Sequence, residues 1–154
     1  MYEQLIEGGS ICKISLGEAP LYCAHLLRLD PASRRNRFGG TVSDDYIRGY
    51  TQPSNLAGAV LHGFFVDGVL RGIAELRLLP GDEAETALSI EKGWQGRGVG
   101  TALLGRTLIA ARTRGTKLLH LTCLPENRRM WQLARKFRAD LTFGYGGVVG
   151  TLAA

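Results

Sequence analysis

At 154 residues, 45% of them hydrophobic, the chain suits one domain over 1–154 with a real core, and no apolar run approaches the roughly 20 residues of a membrane span. Its formal charge of +5 favours an anionic partner, but the basic residues at 34–37, 112–114 and 128–129 are scattered. No aromatic residues interleave with them as nucleic-acid stacking requires, so nucleic acid is not expected and most of these arginines read as solvated helix faces.

In chain order, Ser10 to Ser15 alternates as a first strand, and Glu18-Ala19-Pro20 opens a helix through Leu29 that Asp30-Pro31 ends. Pro31 to Thr41, polar and arginine-rich, reads as a turn or short helix. Ser43 caps a second helix over 44–50. Ala57–Val66 and Val69–Leu79 flank Asp67-Gly68, a strong hairpin signal, and Ala84–Ile90 is a fourth strand. Val99–Arg114 is helical with Gly115 as its stop, followed by a strand over Lys117–Leu124. Met130, Leu133, Ala134 and Phe137 fall at i, i+3, i+4 and i+7 of a last helix over Asn127–Ala139. Leu141–Phe143 and Val148–Leu152 suggest a closing hairpin, with a tail short for its last strand.

Cys12, Cys23 and Cys123 form no Cys-x-x-Cys pair, and Cys23 and His25 lie two apart on a helix, where side chains diverge. His62 and His120 sit in apolar strand contexts and read as satisfied core or sheet residues. Neither a disulfide framework nor a metal site is expected. Met1–Leu5 lacks the basic-then-apolar order of a secretory leader, so a cytoplasmic protein, monomer or homodimer, is the expectation.

The most constraining feature is Gln95-Gly96-Arg97-Gly98-Val99-Gly100, between a strand and a helix start. Glycines let the backbone approach an anion, and free N–H groups at a helix start point toward it. No Gly-Lys-Ser/Thr occurs, which excludes a P-loop. Counting from Gly98, a dinucleotide fingerprint needs a third glycine where Leu103 stands.

The run resembles the Gln/Arg-x-x-Gly-x-Gly/Ala signature of the GCN5-related N-acetyltransferases. Ala84–Ile90, Asn127–Phe137 and the early run His25–Arg34 with Arg37-Phe38 are similar to the Pat-type bacterial members. The resemblance implies an α+β fold: a mixed, mostly antiparallel sheet of six to seven strands with helices on both faces. It implies acetyl-CoA as acyl donor and a primary amine, small molecule or protein lysine, as acceptor. Main-chain groups from Gln95 through Thr101 (Gln95, Gly96, Arg97, Gly98, Val99, Gly100, Thr101) would bind the pyrophosphate, with Arg97 adding charge. Ser89 and Ile90 would pair with pantetheine like an extra strand, Asn127 and Met130 would touch its arm, and an N–H near Ile90 would meet the oxyanion.

An amine acceptor must lose a proton before it attacks. Glu85 matches the acidic residue of the Pat-type segment and is the candidate base, its apolar neighbours tuning it. Glu75 is the rival, but on a strand it shares a face with Arg77, and a surface ion pair is the simpler account. Many relatives carry a tyrosine acid where this chain has Ala134; Tyr145, Cys123 and water are the conceivable proton donors to the thiolate. That departure keeps a non-catalytic acyl-CoA sensor open as the alternative.

Overall fold

The computed structural model describes residues 8–144 and 146–154. Tyr145 and the first seven residues, on which two of the expectations above fall, lie outside the described residues.

Seven strands form one sheet: β1 (Gly9–Ile14), β2 (Val60–Val66), β3 (Val69–Leu78), β4 (Glu83–Ile90), β5 (Leu118–Cys123), β6 (Asp140–Gly144) and β7 (Gly147–Ala153), in the order β1-β2-β3-β4-β5-β7-β6. Every neighbouring pair is antiparallel except β4 with β5. Asp67 and Gly68 both take positive φ, 50° and 77°, so the β2–β3 hairpin closes through the turn that Asp-Gly favours. β7 is fully formed: it pairs with β5 from Cys123↔Val148 to Leu118↔Ala153.

Six α-helices lie among the described residues: α1 (Ala19–Arg28), α2 (Pro31–Phe38), α3 (Asp44–Tyr50), α4 (Pro53–Leu56), α5 (Val99–Thr113) and α6 (Arg128–Lys136). The segment read as a turn or short helix is α2. The Asp30 carboxylate caps it by accepting the Ser33 N–H, Pro31 stands at its first position, and Gly39 at φ 72° ends it. The strand expected from Ala57 begins only at Val60, because Pro53 starts α4 and Gly58 turns out of it at φ 84°. α6 is shorter at both ends than its apolar stripe suggested, with Asn127 at the cap and Arg138 in the left-handed region at φ 64°.

The period of two along the strands divides the core into two layers. Ile14, Leu61 and Ile73 pack against Tyr22 and Leu26 of α1, Ile47 of α3 and Leu56 of α4. Phe64, Ala74, Leu76 and Leu88 pack against Val99, Leu103 and Leu104 of α5, and Ala134 of α6 belongs to the same layer. His62 is buried as expected, but its Nδ1 has no partner, so it is not satisfied. His120 does have partners, Thr151 Oγ1 and Glu83. No helix of the described residues is long and apolar enough to cross a membrane.

Candidate active site

β4 ends at Ile90, passes through a 3-10 turn at Lys92–Trp94, and reaches α5 through Gly96 at φ 74° and Gly98 at φ 88°. Those φ values exclude most side chains. The first α5 hydrogen bond runs from the Ala102 N–H to the Gly98 carbonyl at 3.1 Å. The N–H groups of Val99, Gly100 and Thr101 therefore have no acceptor within the helix and point out of its start. Gln95 takes another role: its N–H donates to Lys92 O within the 3-10 turn, and its side-chain Nε2 donates to Ile90 O at 2.8 Å and Ser33 Oγ at 2.9 Å. It clasps the loop to β4 and α2. The Arg97 guanidinium lies over the Trp94 ring, 4.9 Å from its centroid, and Trp94 in turn packs on Phe64.

Between this loop and α6 runs a groove of about 300 Å³, lined by Gly96, Gly98, Thr101, Arg129, Met130 and Lys136 among others. Arg129 and Lys136 are exposed on α6, yet both reach the loop: Arg129 Nη1 lies 3.0 Å from where a Cβ on Gly96 would stand, and Lys136 Nζ donates to Thr101 Oγ1 at 3.3 Å. Two cations thus face the helix start, an arrangement suited to a diphosphate. Their signal was present in the sequence: 129 and 136 are seven apart, flanking the Met130–Leu133 stripe that binds α6 to the core.

Beyond the loop, β4 and β5 part. Their parallel pairing covers Glu83↔Leu118 through Thr86↔Leu121 and stops, while β4 continues to Ile90. Hydrogen bonds from Leu79 N–H to Glu83 O and from Glu91 N–H to Arg71 O fix the alternation along β4. The odd residues, Ser89 included, turn their main-chain groups toward β3, and Leu88 and Ile90 turn theirs into the gap. The gap holds a cavity of about 90 Å³ whose wall includes Leu88, Ser89, Ile90, Asn127 and Met130. The expected pairing along Ser89 and Ile90 is thus offset in the fold: Leu88 offers main-chain groups there, while Ser89 has its main chain in register with Ile73 and its hydroxyl 2.8 Å from His25 Nε2.

Ala134 is fully buried, and a Cβ on Gly150 of β7 would stand 3.3 Å from its methyl group. A phenol has no room there. Cys123 lies near the gap, and burial pushes its thiol up, so it stays protonated.

On the α1–α3 side, Glu75 is 3% exposed, which corrects the surface ion pair expected of it. Its carboxylate accepts from Tyr22 Oη and Tyr50 Oη, both at 2.8 Å, from Arg37 Nη2 at 3.4 Å, and from Arg77 Nε. Burial alone would raise it, but the Arg37 charge and these hydrogen bonds hold it below the usual carboxylate range. Arg37 also donates to both phenols. Beside this cluster opens a polar cavity of about 200 Å³ lined by Arg37, Tyr50, Glu75, Arg77, Glu85 and Thr122 among others. Glu85 is exposed, opposite Arg77 on β3 and His120 on β5. Its surroundings are polar, not the apolar neighbours expected.

A family model described as "Acetyltransferase (GNAT) family" matches residues 29–138. No curated protein matches the chain. Among solved structures, the GNAT domain of S. lividans PAT superposes with a TM-score of 0.81 at 21% identity, covering 95% of this chain and 90% of that one. The PaiA N-acetyltransferase from Thermoplasma acidophilum, in complex with coenzyme A, gives 0.74 at 17% identity, covering 95% and 99%. YncA from Salmonella typhimurium, with its cofactor acetyl-CoA, gives 0.67 at 18%, covering 96% and 94%. At these identities the likeness establishes the fold.

Proposed function

Because the chain belongs to the acetyltransferase (GNAT) family, we propose that it moves an acetyl group from acetyl-CoA to a primary amine, on a small molecule or a protein lysine, by direct transfer in a ternary complex with Glu85 as general base. The observation that carries this reading is the run of unpaired main-chain groups from the start of α5 to the gap beside β4. Free N–H groups at Val99, Gly100 and Thr101, with Arg129 and Lys136 opposite, suit a diphosphate. The Leu88 main chain and the Ile90 N–H, whose carbonyl is held by Gln95, then suit an amide-bearing arm lying along β4 as an added strand. An arm so placed brings its thioester toward the divergence of β4 from β5, where an Ile90 N–H can receive the carbonyl oxygen as charge develops on it.

The acceptor occupies the polar cavity. A lysine-type amine is protonated at neutral pH, with a pKa near 10.4. Glu85, exposed in the cavity wall, accepts that proton directly or through a water molecule. The freed nitrogen attacks the carbonyl carbon, the C–S bond breaks, and the thiolate takes a proton from water; Cys123, its thiol pushed up by burial, is too weak an acid to supply it. Glu75 does not serve as the base. With two guanidiniums and two phenols around it, it has little tendency to take a proton. It fixes Arg37 and Tyr50 in the cavity wall.

The buried Ala134 favours one other reading, an acyl-CoA sensor without turnover. Amine-dependent release of free CoA thiol, followed over a panel of amines and lysine peptides, separates the two. Gly98→Asp places a side chain at φ 88° and a negative charge in the cradle, and is expected to abolish acetyl-CoA binding. Tight binding by the wild type with no CoA release over the whole panel would establish the sensor. No calorimetric binding at millimolar acetyl-CoA would remove both readings.

A further inference from the structure

At the end of β4, the Glu91 carboxylate is surrounded by donors: His25 Nδ1 at 3.0 Å, Arg28 Nε at 3.2 Å and Arg71 Nη1 at 2.8 Å. Burial alone would raise this carboxyl, but those three partners hold it at about 2, so it is ionised and can only accept. The proton on His25 therefore sits on Nδ1. His25 is fully buried on α1, and burial keeps its ring neutral. Nε2 is then a bare lone pair, 2.8 Å from Ser89 Oγ. The only hydrogen bond these two atoms can form is from the Ser89 hydroxyl to the ring.

The consequence reaches the cavity. With its single proton committed to His25, Ser89 has only lone pairs left to offer, and it forms part of the 90 Å³ cavity in the β4–β5 gap. A buried acceptor without a donor is costly, so the group that enters there must bring an N–H or O–H. Pantetheine carries two secondary amides, each with an N–H that can supply this donor. We propose that the Ser89 hydroxyl is a fixed acceptor for a pantetheine amide N–H, and that His25 and Glu91 are the positioning residues that fix its polarity. This rests on the reading of the groove as the acetyl-CoA site.

Two ligands test it by calorimetry on the full chain: acetyl-CoA, and adenosine 3′,5′-bisphosphate, which lacks the pantetheine arm. Ser89→Ala is expected to weaken acetyl-CoA about tenfold and leave the bisphosphate unchanged. Ser89→Thr, which keeps the hydroxyl, is expected to bind acetyl-CoA near the wild-type level, and Ser89→Cys to resemble alanine. Nitrogen-15 spectra of labelled histidine are expected to place the His25 proton on Nδ1 at neutral pH. Equal acetyl-CoA affinity in wild type and Ser89→Ala, with the bisphosphate still bound, overturns the proposal and leaves the acetyl-transfer reading standing. So does loss of both ligands in Ser89→Ala and Ser89→Thr alike, which would make the serine a fold residue, or a His25 proton found on Nε2. Failure of the wild type to bind either ligand sinks the acetyl-transfer reading and this inference together.

Discussion

Two glutamates on adjacent strands, ten residues apart, have opposite environments, and environment decides what each can do. Glu85 is exposed in the wall of the polar cavity; Glu75 is buried and encircled. Replacing Glu85 with glutamine is therefore expected to leave the thermal midpoint within about a degree and lower kcat roughly 100-fold at neutral pH, with little change in KM for acetyl-CoA. The loss should shrink as pH rises toward the pKa of the amine, where the acceptor deprotonates itself. Glu75→Gln should do the reverse. It strips the countercharge from the buried Arg37, a change of the kind that costs roughly 3–5 kcal/mol, so the midpoint falls well before any rate effect can be read. If stability drops in Glu85→Gln and holds in Glu75→Gln, the two roles have been assigned the wrong way round.

At the scale of elements, the readable parts were those with a local cause. Asp67-Gly68 dictates its turn, Gly98 dictates the entry to α5, and the alternation of β3 and β4 dictates their two faces. The same alternation held a signal that was passed over: Ile73, Glu75 and Arg77 share a face, and Ile73 is core, so Glu75 had to lie near the core layer. What a sequence could not disclose was which helix covers that face. Tyr22, Arg37 and Tyr50 come from α1, α2 and α3, and only tertiary packing brings them to one carboxylate. Gln95 illustrates the same limit. As a motif residue it was expected to bind a phosphate; its side chain instead ties the loop to β4 and α2 through two acceptors. Gln95→Ala frees the Ile90 carbonyl and lets the loop move relative to α6. The expected outcome is an acetyl-CoA KM raised about three- to tenfold with kcat nearly unchanged. A change confined to kcat would place Gln95 in the chemistry instead.

For the whole molecule, the balance of charge and burial sets how the fold responds to acid. His25 and His62 are both held below the usual histidine range, burial being the larger cause, and His62 reaches about 4 with Arg106, Lys13 and Arg114 adding to the effect. Below pH 6.5 the unfolded chain takes up protons on these rings that the folded chain refuses, in the case of His62 down to about pH 4. Their contribution to stability is thus complete above pH 6.5 and declines as pH falls below it. Glu91 acts in a lower window. Its folded value of about 2 lies beneath the unfolded one, so its contribution is present above about pH 4.3 and disappears as pH falls through 2. Thermal unfolding followed by circular dichroism should therefore show a midpoint that falls between pH 7.5 and 5.5, above the window in which Glu91 acts. His62→Leu removes one of the two rings together with an unpartnered buried nitrogen. Its midpoint should exceed that of the wild type at pH 5.5 by more than at pH 7.5. An offset equal at both pH values would mean that His62 destabilises through its unpaired atom alone and that its titration plays no part in the acid response.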